Sequence, residues 1–256
     1  MSVFNAYAQY YDLLYQDKDY AQEAGFIHQL IETHAPAAQH LLELGSGTGR
    51  HAEYLAERGY QVTGVERSEE MLARCGQRQT GQSSQIAQRL KFLQCDLREV
   101  RLEQTFDCVL SLFHVISYQT SNADLAAAFT TVTQHLKPGG VFIFDVWYGP
   151  AVLQDQPQVR VKRLQNETLA ITRIAEPVLH PNDNIVDVNY HVLLQRLGSD
   201  TWQELRELHR MRYLFKPELE LLLQQAGMDL VTCGEWMSDR PAGLDTWGVY
   251  FVAVKL

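Results

Sequence analysis

Between residues 41 and 146, short apolar runs alternate with amphipathic segments, and this alternation restricts the fold more than any other feature of the chain. The apolar runs are LLEL (41–44), VTGV (62–65), LKFL (90–93), FDCVLSL (106–112) and VFIFDV (141–146). The segments between them carry helix signals, such as Ser68 followed by Glu69 and Glu70. Strands that alternate with helices predict a parallel sheet with helices on both faces, which is a doubly wound α/β fold.

A second pattern begins after Gly149, where apolar and polar residues alternate with a period of two. The segments VRVKRL, LAITRIAEPVL, IVDVNYHVLLQ and ELRELHRMRYLF are separated by turn signals such as HPND and LGSD. They predict an antiparallel β insertion over residues 149–216 that caps the parallel domain. The parallel domain itself is expected to comprise residues 1–148 and 217–256.

Composition and charge argue against several classes of function. Of the 256 residues, 46% are hydrophobic, and the formal net charge of -9 disfavours nucleic acid as a partner. No apolar run approaches the roughly 20 residues that cross a bilayer, and the first residues do not read as a signal peptide, so we expect a cytoplasmic protein without a membrane partner. The four scattered cysteines and nine histidines lack the spacing of metal ligands, so the sequence predicts neither disulfides nor a metal site.

The stretch LLELGSGTGRH, residues 41–51, has three glycines directly after the first apolar strand. In an open parallel sheet, ligands bind at the carboxyl ends of the strands, where this first strand-to-helix turn lies. Gly45, Gly47 and Gly49 permit a tight turn and the close approach of a ligand, and the next helix offers free N–H groups to an anion such as a carboxylate. The G-x-G-x-G spacing differs from the G-x-G-x-x-G of dinucleotide-binding proteins, which argues against NAD or FAD.

Two acidic residues stand at the ends of the next two strands. Glu66 follows the second strand, 21 positions after Gly45, where its carboxylate can accept hydrogen bonds from both hydroxyls of a ribose. Asp96 follows the third strand, where it can accept from the exocyclic amine of an adenine. An anion, a ribose and an adenine together describe S-adenosylmethionine.

These segments resemble the motifs of the class I S-adenosylmethionine-dependent methyltransferases. ELGSGTG matches the glycine motif of that family, VERS its ribose motif, CDLRE its adenine motif and HLKPGGVFIFD the segment into its fifth strand. The resemblance implies a Rossmann-like sheet of seven strands, mostly parallel, whose last strand is reversed. The segments 227–235 and 248–254 fit that ending.

The same resemblance implies cofactor contacts for individual residues. Glu43 would order the glycine loop, the first two glycines would approach the methionine part of S-adenosylmethionine, Glu66 would bind the ribose and Asp96 the adenine. The residues predicted to bind the cofactor are Tyr11, Glu43, Gly45, Gly47, Gly49, Glu66, Arg67, Met71, Asp96, Leu97 and Leu112.

The N-terminal segment YAQYYDLLYQDKDY carries more aromatic surface than a short polar lead-in needs. Its tyrosines are Tyr7, Tyr10, Tyr11, Tyr15 and Tyr20. The segment is similar to the entry segment of small-molecule N-methyltransferases that act on amino sugars or glycine, in which such tyrosines close over the cofactor. Tyr11 is therefore predicted as a catalytic residue as well as a cofactor contact, and the alternative is that it only packs against the sheet.

The acceptor is expected at the carboxyl edge of the sheet. His114 follows the fourth strand, where its imidazole can take a proton from an attacking amine or hydroxyl, although a lone histidine is more often structural. This position reads LFHV instead of the N/D-P-P-Y/F element of nucleobase methyltransferases, which argues against a nucleic-acid base as acceptor. The residues predicted to contact the substrate are Tyr15, His114, Tyr118, Trp147, Asn189 and Arg240.

In the insertion, Arg206, Arg210 and Arg212 fall on one face of a strand. Such a face can bind a phosphorylated or carboxylated substrate through paired N–H donors. The alternatives are a solvated strand face or the surface of a homodimer, since exposed strand edges tend to be paired or covered.

Three functions stay open on the sequence alone. The favoured function is methyl transfer from S-adenosylmethionine to a small molecule, an amine such as an amino sugar or an amino-acid-like acceptor. The second is a different use of the same cofactor, such as an intramolecular cyclisation. The third is a binding module that senses the cofactor without chemistry.

Overall fold

The computed structural model describes residues 10–198 and 201–256 of the chain. The helices are α1 (Tyr20–His34), α2 (Arg50–Glu57), α3 (Glu69–Thr80), α4 (Ser84–Ala87), α5 (Asn122–His135), α6 (Gly149–Gln154) and α7 (Lys216–Gln225). The strands are β1 (His40–Leu44), β2 (Gln61–Glu66), β3 (Leu90–Gln94), β4 (Phe106–Ser111), β5 (Leu136–Tyr148), β6 (Arg160–Gln165), β7 (Leu169–His180), β8 (Ile185–Arg196), β9 (Trp202–Leu214), β10 (Met228–Glu235) and β11 (Gly248–Lys255). Residues 10–14 are also helical, and a short 3-10 helix spans Ile116–Tyr118.

The central sheet has the strand order β3-β2-β1-β4-β5-β11-β10. The first five strands form parallel pairs, and β11 runs antiparallel to both β5 and β10. This arrangement confirms the predicted doubly wound, mostly parallel α/β sheet with a reversed last strand.

Apolar side chains fill both faces of this sheet, because alternate residues of a strand point to opposite faces. On one face, Phe142 and Phe144 of β5 stack at 4.4 Å between ring centroids and pack under α5 and α7. On the other face, Ile143 packs with Leu41 and with apolar residues of α1 and α2. Near-continuous apolar strands such as β5 are what a sheet covered on both faces requires.

The insertion forms an antiparallel sheet in the order β9-β8-β7-β6, as the period-two segments predict. It joins the central sheet where Trp147 and Tyr148 of β5 pair in parallel with Tyr213 and Leu214 of β9. The helical residues 10–14 pack against its inner face, with Tyr10 and Leu14 in one apolar cluster with Ile171 and Val192. The predicted LGSD turn lies partly outside the described residues.

Some elements differ from the expectation. β5 begins at Leu136, earlier than the predicted start at Val141, because Phe106 pairs with Leu136 and Cys108 with Val141, with an irregularity between the two pairs. The sequence does not predict α4 and α6, since four and six residues are too few to show a helical period. Within the described part of the chain, no helix is long and apolar enough to span a membrane.

Candidate active site

A cavity of about 260 Å³ opens at the carboxyl edge of the parallel strands, next to the insertion. One side, which we call the glycine-loop wall, consists of Gly45, Ser46, Gly47, Val65, Glu66, Arg67, Met71, Cys95, Asp96, Leu97 and Leu112. The other side, which we call the insertion wall, consists of Tyr11, Tyr15, Tyr118, Trp147, Val188, Tyr190, His209 and Met211. Phe113 and His114 lie between the two walls.

The glycine loop after β1 folds back onto the end of β2. The N–H groups of Gly45 and Ser46 donate to the carbonyl of Val65 at 2.8 and 3.0 Å. Gly45 has a φ of +77°, and a Cβ there would lie 2.5 Å from Val115 Cγ1, so a side chain at this position is both strained and blocked. Gly47 has a φ of +56°, and nothing lies within 4 Å of the position of its absent Cβ. Its main chain is therefore open to a ligand.

Glu66 is buried beside this loop, with 8% of its surface exposed. Its Oε2 accepts the Gly47 N–H at 2.9 Å, and its Oε1 accepts the Ser68 N–H at 2.8 Å. Burial raises the pKa of Glu66, and these two hydrogen bonds oppose the rise. The main chain of Arg67 also hydrogen-bonds to this carboxylate, so about one of its roughly four acceptor positions stays open to a ligand. That position can accept a hydrogen bond from a hydroxyl.

Asp96, after β3, is held by arginine side chains. Arg98 Nε and Nη2 donate to its Oδ1 and Oδ2 at 2.9 and 2.7 Å, and Arg67 Nη1 lies 3.7 Å from Oδ2. The hydrogen bond from Arg98, followed by the charges of both guanidinium groups, holds the pKa of Asp96 below its ordinary value. The carboxylate is therefore ionised and fixed in orientation at the cavity, beside the apolar side chain of Leu97.

Two of the predicted cofactor-binding residues lie behind the cavity and do not line it. Glu43 is 1% exposed, and burial together with the charge of Glu66 raises its pKa to about 8. Its Oε1 lies 3.8 Å from His51 Nδ1, and its Oε2 has no hydrogen-bond partner among the described residues. Gly49, with a φ of +77°, is the N-cap of α2, where a Cβ would lie 2.9 Å from Phe92 Cζ. Both residues therefore support the loop from behind.

Tyr11 and Tyr15 reach the cavity from the N-terminal segment. Their ring centroids are 4.8 Å apart, and Tyr15 meets Phe113 edge-on at 5.1 Å. Burial, followed by the neighbouring Tyr20, raises the pKa of Tyr11 well above its ordinary value, so this phenol is neutral. Tyr7 lies outside the described residues.

The turn after β4 aims His114 at the cavity. Phe113 and His114 have φ values of +64° and +62°, which residues other than glycine rarely adopt. The His114 N–H donates to Asp145 Oδ2 at 3.1 Å, and its ring Nδ1 lies 2.7 Å from the same oxygen. The Trp147 ring lies 6.3 Å from the imidazole between centroids. A buried carboxylate thus fixes the position of His114.

The strands β8 and β9 complete the insertion wall. Val188 and Tyr190 of β8 and His209 and Met211 of β9 line the cavity. Asn189, a predicted substrate contact, lies on the opposite face of β8, because successive residues of a strand point to opposite faces. It is exposed, and its amide donates to a carbonyl of β7 at 3.2 Å. The structure therefore does not bring Asn189 to the cavity.

The arginines singled out in the sequence also lie outside the cavity. Arg206 pairs with Glu204, Arg210 with Asp187 and Arg212 with Glu218. Arg240, a predicted substrate contact, is exposed and lies 2.7 Å from Asp245 and 3.5 Å from Glu235. A nearby carboxylate thus compensates each of these charges, on the protein surface for Arg206, Arg210 and Arg240 and in a buried position for Arg212.

The sequence analysis does not identify Phe113, Tyr190, His209 and Met211 as site residues. The period-two pattern of β9 held a signal for two of them. If the arginines of β9 share one face, then His209 and Met211 share the other, and the face that carries fewer charges is the one expected to turn toward the core. No comparable local pattern marks Tyr190, whose contribution depends on how the insertion packs.

Comparisons with known proteins agree with this geometry. Residues 41–140 match a family model described as a methyltransferase domain. The chain is 33% identical to the putative methyltransferase YqeM of Bacillus subtilis, over 99% of this chain and 97% of that protein. It is 28% identical to the dTDP-3-amino-3,4,6-trideoxy-alpha-D-glucopyranose N,N-dimethyltransferase of Streptomyces venezuelae, over 93% of this chain and 94% of that protein. The crystal structure of Streptomyces venezuelae DesVI matches with a TM-score of 0.80 at 26% identity, over 98% of each chain.

Proposed function

The chain belongs to the S-adenosylmethionine-dependent methyltransferases, and from this premise we propose that it methylates the amino group of a small molecule, specifically an amino sugar. An amino-sugar N,N-dimethyltransferase matches more than nine tenths of the chain, so the similarity includes the insertion and not only the cofactor motifs. The observation that carries the proposal is a single cavity with a glycine-loop wall on one side and an aromatic insertion wall on the other.

The glycine-loop wall fits S-adenosylmethionine. The open main chain at Gly47 and the free N–H groups at the start of α2 suit the carboxylate of the methionine part. The absence of a side chain at Gly45 lets Val115 pack directly against the main chain of this turn. Glu66 has about one acceptor position left for a ribose hydroxyl. When bound, the cofactor supplies a methyl group activated by a positively charged sulfur.

The adenine half of the cofactor would lie against the end of β3. We assign the exocyclic amine to the fixed carboxylate of Asp96 and the faces of the ring to apolar side chains. Those apolar side chains are Met71, Leu97 and Leu112, with Arg67 at the rim of the cavity. Glu43 and Gly49 would hold the loop in place from behind.

The insertion wall suits the acceptor. Methyl transfer is an in-line displacement, so most of what a protein contributes is alignment, worth up to roughly 7–11 kcal/mol in favourable intramolecular reactions. Tyr11, Tyr15, Tyr118 and Trp147 present rigid rings that can hold a sugar. Ring faces also attract cations by about 0.5–2 kcal/mol, which favours both an ammonium group and the sulfonium.

His114 lines the cavity, where its imidazole can accept a proton from the acceptor. Asp145 fixes its position by accepting the main-chain N–H of His114, which supports the base role predicted from the sequence. Asn189 and Arg240 have no part in this proposal, because both lie outside the cavity. The homodimer and the division into a core and a capping insertion stay predictions.

A panel of acceptors tests the proposed function. We expect mass spectrometry of the protein with S-adenosylmethionine and nucleotide-linked amino sugars to detect acceptors that have gained one or two methyl groups, together with S-adenosylhomocysteine. Matched sugars with a hydroxyl in place of the amine are the control and should stay unmodified. Methylthioadenosine as the product, or cofactor binding without any methylated amine, would contradict the proposal.

A further inference from the structure

A chain of polar side chains leads from the insertion wall into the interior of the protein. The Tyr118 hydroxyl lies 2.8 Å from His209 Nδ1, and His209 Nε2 lies 3.3 Å from Glu207 Oε2. The Tyr10 hydroxyl donates to the same carboxylate oxygen at 2.5 Å. Tyr118 and His209 line the cavity, whereas Glu207 and Tyr10 lie behind them. A cavity-facing hydroxyl is thus connected to a buried carboxylate.

The inner end of this chain is removed from water. The side chains of His209 and Glu207 are 2% and 3% exposed, and Tyr10 is fully buried. A carboxylate in such surroundings is costly unless hydrogen-bond donors surround it. The Tyr10 hydroxyl donates to Glu207 Oε2 and His209 Nε2 lies beside the same oxygen, whereas Oε1 has no hydrogen-bond partner among the described residues.

With an ionised Glu207 and a neutral His209, the contacts give each hydrogen bond a direction. An ionised carboxylate only accepts, so His209 donates to Glu207 through Nε2–H. The Nδ1 of the neutral imidazole then has no proton and accepts the hydroxyl proton of Tyr118. The Tyr118 proton is thus directed into the protein, and its oxygen faces the cavity as an acceptor. An amine, which carries N–H donors, is the complementary group.

We propose that Tyr118, His209 and Glu207 form the route by which the acceptor amine loses its proton, an inference that rests on the proposed methylation of an amine. The ammonium N–H bond breaks, and its proton passes to the Tyr118 oxygen while the Tyr118 hydroxyl proton passes to His209 Nδ1. The nitrogen keeps the electron pair and becomes the free amine that methyl transfer requires. The positive charge now rests on the His209 imidazolium, next to the Glu207 carboxylate. After the product has left, the His209 Nδ1 proton returns to the Tyr118 oxygen as the Tyr118 hydroxyl proton passes to water in the cavity.

Groups on each neighbouring element act on this route. The ionisable groups around Tyr118 and His209 include Glu207 on β9, Tyr190 on β8 and the tyrosines Tyr10, Tyr11 and Tyr15 of the N-terminal segment. Arg173 on β7 lies over the ring of Tyr190. Burial raises the pKa of Tyr118 well above its ordinary value, and it raises the pKa of Tyr190 to about 12. Both phenols are therefore neutral, and Tyr118 acts by passing a proton on and not by ionising.

His114 with Asp145 is the competing proton acceptor. His114 stands between the two walls with 24% of its side chain exposed, so it can exchange protons with water directly. His209 lines the cavity with only 2% of its side chain exposed, and its Nδ1 contacts the Tyr118 hydroxyl. Tyr118 would touch the acceptor and is the catalytic residue of the route, whereas His209 and Glu207 act through it.

Steady-state kinetics on an amine acceptor from about pH 6 to about pH 9 test the route. The variants are Tyr118→Phe, His209→Gln and His114→Gln. The control is His180→Gln, which removes a histidine that lies 3.0 Å from a carboxylate outside the cavity. Calorimetry with S-adenosylhomocysteine present measures the binding of the acceptor independently of turnover, and thermal unfolding measures the stability of each variant.

We expect Tyr118→Phe and His209→Gln each to lower kcat by about 10²-fold near neutral pH, the range of general acid–base catalysis, with acceptor binding changed only a few-fold. The loss should shrink as the pH approaches the pKa of the amine itself, because the amine then enters already deprotonated. His180→Gln should match the wild type at every pH.

Several outcomes would overturn the route. A loss that is equal at all pH values indicates a structural role, and wild-type profiles in both variants indicate no role. A pH-dependent loss in His114→Gln alone assigns the proton to His114. Tyr118→Phe keeps the ring and its packing, so it decides the question even if His209→Gln does not fold. A wild-type protein that methylates no amine refutes the proposed function as well, whereas an active wild type with unaffected variants refutes the route alone.

Discussion

The two walls of the cavity are built in opposite ways. In the glycine-loop wall, the contacting groups are close in sequence, and Gly47 and Glu66 are only 19 positions apart. In the insertion wall, Tyr118 and His209 are 91 positions apart, and Tyr10 and Glu207 behind it are 197 apart. The first wall lies at the ends of four adjacent parallel strands, β1 to β4. The second requires the N-terminal segment, the turn after β4 and the insertion to pack together.

The chemistry of the walls differs accordingly. The glycine-loop wall presents main-chain N–H groups and two carboxylates, which suit S-adenosylmethionine. The insertion wall presents aromatic rings and an imidazole, which suit the variable acceptor. We therefore expect changes in the first wall to weaken cofactor binding with every acceptor, and changes in the second to affect the acceptor alone.

The largest effect is expected at Gly45. Gly45→Ala puts a Cβ 2.5 Å from Val115 Cγ1 at a φ of +77°. Left-handed strain of about 1–2 kcal/mol and overpacking of about 1–3 kcal/mol should together lower the free energy of unfolding by about 2–5 kcal/mol and weaken cofactor binding about 100-fold. Urea unfolding and calorimetry with S-adenosylmethionine measure the two quantities.

Two further variants sharpen this result. Gly45→Ala combined with Val115→Ala removes the two closest clashing atoms, so only the left-handed strain should persist and most of the stability should return. Gly76→Ala, in α3 with nothing within 4 Å of the new Cβ, should instead raise the free energy of unfolding by about 0.5–1 kcal/mol. If Gly45→Ala raises the free energy of unfolding as Gly76→Ala does, the close contact between residue 45 and Val115 is contradicted.

The same contrast explains what the sequence can reveal. The order of strands and helices, the glycine loop and the acids after β2 and β3 all follow from local patterns, because a period, a turn residue or a strand end can be read within a few positions. Asn189 illustrates the limit. Its position on β8 is predictable, but which face of β8 meets the cavity depends on the pairing of Trp147 with Tyr213, which joins the two sheets. No local pattern encodes that pairing.

An intermediate effect is expected from the buried acid behind the glycine loop. Glu43 has a pKa of about 8 in the folded protein, against an ordinary value of 4.5. Between these values, the folded protein holds a proton that the unfolded chain has released, so the free energy of unfolding falls as the pH rises. The contribution of protonated Glu43 to the free energy of unfolding is complete below about pH 4.5 and is lost above about pH 8. Between these values, the free energy of unfolding falls by no more than about 1.4 kcal/mol per pH unit.

Glu43→Gln tests this dependence because an amide resembles the protonated carboxyl. Between about pH 6 and about pH 8, the wild type should lose about 1–2 kcal/mol more stability than the variant, as measured by urea unfolding. Burial raises the pKa of Glu23, but its hydrogen bond and charge interaction with His51 lower that pKa to about 2. The titration of Glu23 therefore changes stability only at lower pH. Glu57→Gln, at an exposed position of α2, is the control and should retain the wild-type slope. An identical slope in Glu43→Gln would show that Glu43 is already ionised at neutral pH.

The smallest effects are expected from two variants that compare the insertion wall with the outward face of β8. Trp147 lines the cavity 6.3 Å from His114, so Trp147→Leu should raise the KM for the acceptor about three- to tenfold, the loss expected for about 0.5–1.5 kcal/mol of aromatic contact. The dissociation constant of the cofactor should stay within about twofold, because the ring belongs to the insertion wall. Asn189→Ala changes the outward face and should leave both constants at their wild-type values. A raised acceptor KM in Asn189→Ala, with Trp147→Leu unaffected, would mean that the acceptor binds on the outward face of β8. The insertion wall would then not be the acceptor site.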